Sequence, residues 1–178
     1  MTKLFKATAL CAAIPLLLAA CAQTGPRTED TRPHDARTDF VPAAANSNFL
    51  ALPDSTTPTD RWSGVLGGAA YRIELPTGQW NGKLVMYAHG YAGTGPNLVV
   101  QDPPIRRYLI DNGYAWAASS YSKNYYDVRA GVEDTNALAL AFNTIAAKNG
   151  RPLPVPSKTY IFGRSMGGHI AAAAIEAE

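Results

Sequence analysis

The chain has 178 residues, the size of one domain, and 47% of them are apolar, an ordinary fraction for a protein that builds a core. Its formal net charge is +2, and two of its 16 basic residues, Lys3 and Lys6, sit at the extreme N-terminus; without them 14 basic side chains face 14 acidic ones. That balance, with no long basic or acidic run, excludes a nucleic-acid binder, which concentrates Lys and Arg on one face.

The first element is a leader. "MTKLFK" is a positive segment and "ATALCAAIPLLLAA" an apolar run interrupted by Pro15. The run is short for a membrane span of about 20 residues, and its flanks fit a secretory signal over residues 1–20. Leu18-Ala19-Ala20-Cys21 resembles the bacterial lipoprotein cleavage motif. That resemblance implies a lipid-modified Cys21 and an exported protein held on the cell envelope through acyl chains, each buried methylene contributing about 0.8 kcal/mol. Cys11 would leave with the leader. No thiol then remains for a disulfide or a metal site.

Residues 21–61 are rich in Pro, Thr, Asp and Ala and lack apolar periodicity, so they are expected to form a flexible tether on which Phe49 and Leu50 could dock. Regular patterning starts at Trp62. "WSGVLGGAAYRIELP" predicts two strands or a hairpin broken at Gly67-Gly68. Asn81-Gly82 predicts a turn, and "KLVMYA" a strand buried on both faces. "DPPIRRYLIDNG" predicts a helix with Asp102 as N-cap, Pro103 as first residue and Gly113 as stop. "YAWAASSY" predicts a second buried strand, and Asp127 to Lys148 a long amphipathic helix ended by Asn149-Gly150. "KTYIFG" predicts a third buried strand, and, as the last strand of this chain, an exposed apolar edge. "MGGHIAAAAIEAE" predicts a closing helix.

Alternating apolar strands and helices predict an α/β fold, a mostly parallel sheet with helices on both faces. Ligands of such sheets lie beyond the carboxyl ends of the strands, here the loops 88–95, 120–127 and 163–167. The last holds Gly163-Arg164-Ser165-Met166-Gly167, a G-x-S-x-G pentapeptide between a strand and a helix. A serine on such a turn sits at strained backbone angles with its hydroxyl above the sheet, and the helix start places N–H groups where an oxyanion develops.

With "YAHGYAG" (87–93) after one strand and "FGRSMGGH" (162–169) after a later one, residues 62–178 resemble the α/β-hydrolase family, in particular secreted bacterial serine esterases. The resemblance implies Ser165 as nucleophile and the backbone N–H groups of Tyr91 and Met166 as oxyanion hole. It further implies that Gly163 and Gly167 support the elbow, and His89 and Gly90 the oxyanion loop. Tyr121, Tyr125 and Tyr126, on a loop that tyrosines could equally pack, are candidates for a substrate wall, as is Arg164 beside Ser165, which could equally pair with a loop carboxylate. The implied substrate is a small ester or other acyl compound, cleaved through an acyl-enzyme on Ser165, with no metal or organic cofactor.

The family also needs a histidine base and an acid. His34 lies in the tether, His89 in the oxyanion loop and His169 in the closing helix; Asp127, Glu133 and Asp134 lie on or before the preceding helix, where capping or solvation explains them. The expectation is therefore an N-terminal part of an α/β-hydrolase domain, truncated after the nucleophile helix and inactive in this form. A serine peptidase of the same fold and a non-catalytic envelope lipoprotein that uses the fold for binding are the alternatives.

Overall fold

A computed structural model describes residues 39–176. The expected signal segment, Cys21 and His34 lie outside the described residues. Among the described residues seven strands and three helices follow in order: β1 (Val41–Pro42), β2 (Thr59–Leu66), β3 (Ala69–Pro76), β4 (Lys83–Ala88), β5 (Asn97–Leu98), α1 (Arg106–Asp111), β6 (Ala115–Ser119), α2 (Val128–Lys148), β7 (Lys158–Gly163) and α3 (Met166–Glu176), with a short 3-10 turn at Ala44–Ser47.

Period-two alternation sorts the strand residues onto two faces. Leu84 and Met86 of β4 and Ala115 and Ala117 of β6 face Leu138, Phe142 and Ile145 of α2. Their neighbours Val85, Tyr87, Trp116 and Ala118 face Leu109 and Ile110 of α1. α3 lies with α2, because Gly131 of α2 leaves room for Ile170; a β-carbon there would come within 2.3 Å of that side chain. Helices therefore cover both faces of a five-stranded sheet of order β2-β3-β6-β4-β7.

The predicted hairpin is β2–β3, paired antiparallel through Leu66 and Ala69. Gly67 and Gly68, with φ of 58° and 89°, supply the double positive-φ turn that two-residue hairpins favour. β3 pairs antiparallel with β6, whereas β6, β4 and β7 run parallel. β4 thus lies between β6 and β7 although it precedes both in sequence. This crossover brings the loop after β4 beside the loop after β7.

Three expectations change. The helix after Asp102 starts at Arg106, with Ile105 as N-cap. Asp102 does not cap it, because its carboxylate pairs with Arg72 at 2.9 Å and Arg106 at 2.8 Å. β7 is the edge strand, as anticipated, paired to β4 alone among the described residues, but it is not buried on both faces: Tyr160 is 42% exposed. Last, residues 39–61 are not a free tether. Arg72 donates to the carbonyls of Ala45 and Asn48, Arg106 to that of Leu50, and Arg107 to those of Pro53 and Asp54. Phe49 does dock, edge-on to Trp116 and beneath the guanidinium groups of Arg72 and Arg106. Such docking uses individual side chains on backbone carbonyls and leaves no apolar period to read.

Candidate active site

The three loops anticipated at the carboxyl ends of the parallel strands converge. In the loop after β7, Ser165 has φ +58°, a left-handed conformation that costs a non-glycine residue about 1–3 kcal/mol. Its neighbours explain why the chain tolerates this. A β-carbon on Gly163 would lie 2.0 Å from the Gly167 carbonyl oxygen, and one on Gly167 would lie 1.9 Å from the carbonyl oxygen of Ala88 in β4. Only glycine at both positions lets α3 start this close to β7 and β4. Ser165 itself is exposed, and Met166 behind it is buried against Ala88, Tyr121 and Ile170.

The loop after β4 lies against the serine. A β-carbon on Gly90 would fall 3.1 Å from the Arg164 carbonyl oxygen and 3.9 Å from the Ser165 hydroxyl. The amides of Tyr91 and Met166 donate to no backbone carbonyl among the described residues. They are two free N–H groups on the segments that meet at Ser165, the second at the N-terminus of a helix where partial positive charge gathers.

His89 supports this loop and does not act on the serine. It is 1% exposed and stacks on Tyr121, with ring centroids 4.1 Å apart. Its Nδ1 lies 2.6 Å from the Gly90 carbonyl oxygen and its Nε2 3.2 Å from that of Ser120. The Gly90 carbonyl and the Tyr91 N–H belong to one peptide plane, so holding the first orients the second. Burial lowers the His89 pKa, and the two carbonyls pull it back up.

A sign follows for stability. Because the folded-state pKa lies below the unfolded one, His89 contributes stability that is complete above about pH 6.5 and lost as pH falls through the folded-state pKa. Urea unfolding between pH 5 and 8 should show wild type weakening on the acid side more steeply than His89→Gln. Equal slopes would contradict a lowered His89 pKa.

The remaining candidates divide. Tyr121 is no substrate wall: it is 1% exposed, its hydroxyl donates to the His89 carbonyl at 3.0 Å, and burial pushes its pKa far up. Its φ of 61° turns the chain so that the ring points under the loop. Tyr125 is half-buried, its amide donating to the Gly93 carbonyl and its ring edge-on to Phe40. Tyr126 is 59% exposed and lies 6.1 Å from the ring of His169, one turn into α3 from the serine. Arg164 is exposed beside Ser165 and acts electrostatically on Tyr87. Asp127 caps α2 by accepting from the Ala130 amide at 2.9 Å. Asp134 accepts from the Ser122 amide and hydroxyl, and burial raises its pKa. Neither His89 nor His169 hydrogen-bonds the Ser165 hydroxyl. Among the described residues no group of three His, Cys, Asp or Glu could hold a metal ion.

An open groove of about 260 Å³ lies elsewhere, between β7, α2 and α3, lined by Met86, Thr135, Tyr160 and Ile175 among others. It contains neither Ser165 nor the Gly90 loop, so geometry at the elbow, not cavity size, locates the site.

The glycine contacts yield a paired test. Gly167→Ala should destabilise by about 2–3 kcal/mol, since backbone must move to admit a β-carbon. Gly168→Ala, whose β-carbon would meet only the Gly163 carbonyl oxygen at 3.7 Å, should be neutral or stabilising by up to about 1 kcal/mol in a helix. Equal thermal shifts for the two would contradict the close approach of α3 to β4.

No protein-family model matches the chain, and no characterised protein matches its sequence. Solved structures similar to it include an arylesterase (19% identity, TM-score 0.44, over 68% of this chain and 40% of that one). A brefeldin A esterase, described as a bacterial homologue of human hormone-sensitive lipase, has 21% identity and a TM-score of 0.45 over 72% of this chain and 38% of its own. A thermostable esterase from Pseudomonas putida has 16% identity and a TM-score of 0.47 over 75% and 43%. The chain spans about 40% of the length of these structures. By its own topology, the β6-β4-β7 crossover with a serine elbow after β7, the chain has the α/β-hydrolase arrangement.

Proposed function

We propose that the protein is a serine hydrolase acting on small carboxylic esters. One observation carries the reading: an exposed serine held at φ +58° between two glycines that admit no side chain, with Gly90 of the neighbouring loop against it. A fold has little reason to keep such strain at a surface serine unless the hydroxyl is used. Ser165 Oγ attacks the ester carbonyl, the oxyanion that forms accepts from the Tyr91 and Met166 amides, and the alcohol leaves an acyl-enzyme that water then cleaves.

The proton of Ser165 passes to a base and from it to the departing alkoxide, which leaves as the alcohol. His89 is committed to carbonyls and His169 lies against Tyr126, so neither is assigned that role. Tyr126, which lies against His169, and Arg164, next to Ser165 in the chain, are proposed to contact the substrate. The leader supports export and anchoring of the protein on the cell envelope through Cys21.

The test is a panel of p-nitrophenyl esters and matched peptide amides on the native protein, with Ser165→Ala as control. Ester cleavage lost in the variant supports the reading, and preference for amides moves it to a peptidase. No turnover of either, with no labelling of Ser165 by a fluorophosphonate, replaces it by a binding role.

A further inference from the structure

We infer that the segment Val41–Ser47 is a clamp on the oxyanion loop, and that Asn46 is its positioning residue. This rests on the reading of Ser165 and Tyr91 as catalytic machinery. The loop between β4 and α1 begins at His89, bends at 94–96 and pairs as β5 at Asn97–Leu98, and over 93–100 it is gripped from two sides in alternation. On one side the segment forms a parallel ladder: the Val41 amide donates to the Pro96 carbonyl and the Ala43 amide to that of Leu98, each at 2.9 Å. Asn46 then continues the ladder with its side chain. Its Nδ2 donates to the Leu98 carbonyl at 2.9 Å, and its Oδ1 accepts from the Val100 amide at 3.0 Å.

On the other side, Asn124 Nδ2 donates to the carbonyls of Gly95 and Asn97, at 2.6 and 3.0 Å, and the Tyr125 amide to that of Gly93. Even-numbered carbonyls thus meet the N-terminal segment and odd-numbered ones the 124–125 turn, as in the middle strand of a sheet. Asn46 is 5% exposed, so its amide has no water to replace these partners.

The consequence for chemistry is positional. Tyr91 stands two residues before Gly93, whose carbonyl the Tyr125 amide holds, and five before Pro96, where the bonds from Val41–Ser47 begin. Its N–H can be ready for an oxyanion only while the chain on both sides of it is fixed: His89 fixes the upstream side, and Asn46 with Asn124 the downstream side. A donor that wanders adds reorganisation to the transition state and little to substrate binding.

The experiment compares Asn46→Ala, Asn46→Asp and Arg107→Ala with wild type in the native protein. Among the described residues Arg107 holds only the Pro53 and Asp54 carbonyls, and it serves as the control for the rest of the N-terminal segment. Ester turnover is measured well below each variant's melting temperature, and hydrogen exchange is followed by mass spectrometry. Asn46→Ala should lower kcat about tenfold with KM changed less than about twofold. Peptides covering 90–100 should exchange about tenfold faster while those of β4 and α3 keep their rates. Asn46→Asp, which retains the acceptor for Val100 but loses the donor to Leu98, should fall between, and Arg107→Ala should match wild type. An unchanged kcat with intact ester turnover would overturn the clamp, as would protection lost equally across the fold. If the native protein cleaves no ester, the hydrolase reading falls, and the exchange rates alone decide whether Asn46 holds the loop.

Discussion

Ser165→Ala is expected to reduce ester turnover by the native protein about 10⁴- to 10⁶-fold, and to abolish covalent labelling by a fluorophosphonate. The size follows from the role. Removing a nucleophile eliminates the acyl-enzyme path, and what survives is the modest effect of binding and of the two amides acting on water. The variant should not be less stable. Ser165 is exposed, its side chain supports no described neighbour, and alanine bears the same φ of +58°. A melting temperature within about 2 °C of wild type, with turnover gone, separates chemistry from unfolding. Turnover within tenfold of wild type would mean that Ser165 does not form the acyl bond.

Arg106→Ala should produce the largest loss of stability, about 3–5 kcal/mol. Arg106 makes a two-pronged contact with Glu74, through Nε to Oε2 at 2.7 Å and Nη2 to Oε1 at 3.0 Å. Glu74 is fully buried on the α1 face of β3, and its other bonds come from the Trp116 indole at 2.9 Å and the Thr59 hydroxyl at 2.8 Å. Without the guanidinium the carboxylate stays buried with two neutral donors and no counter-charge. Arg106 also joins Asp102 at 2.8 Å and the Leu50 carbonyl, so its removal loosens the N-terminal segment as well. The pair Arg106→Leu with Glu74→Met should recover most of the loss, because apolar side chains of similar size need no partner. Urea midpoints for the single and double variants check this. A double variant as unstable as the single one would mean that packing, and not the unpaired charge, accounts for the effect.

The strands and helices were legible because their signals are local. "KLVMYA" became β4 over the residues expected, and Gly67-Gly68 and Asn81-Gly82 turned the chain where positive φ was needed. The G-x-S-x-G pentapeptide pointed to a strained serine, and Ser165 has that strain. The helix after Asp102 was anticipated too early, since a carboxylate before Pro-Pro looks like a cap until two arginines from elsewhere claim it. For Tyr121 pocket wall and loop packing stay equally open in the sequence, because a tyrosine-rich loop carries no mark of which ring turns inward; stacking on His89 decided that.

By itself the sequence determined what depends on neighbours along the chain: where each element begins, which strand face is apolar, which glycines bend, and which serine stands on an elbow. Tertiary structure alone decided what depends on crossing. It put β4 between β6 and β7, and so brought Gly90 against Ser165, 75 residues later in the chain. It also laid residues 41–54 across the sheet by bonds from Asn46, Arg72, Arg106 and Arg107 to or from distant backbone. The physical reason is the same in each case. A periodic pattern records burial of many side chains by one local geometry, whereas a side chain bonded to a carbonyl 50 residues away leaves no period in the sequence at either end.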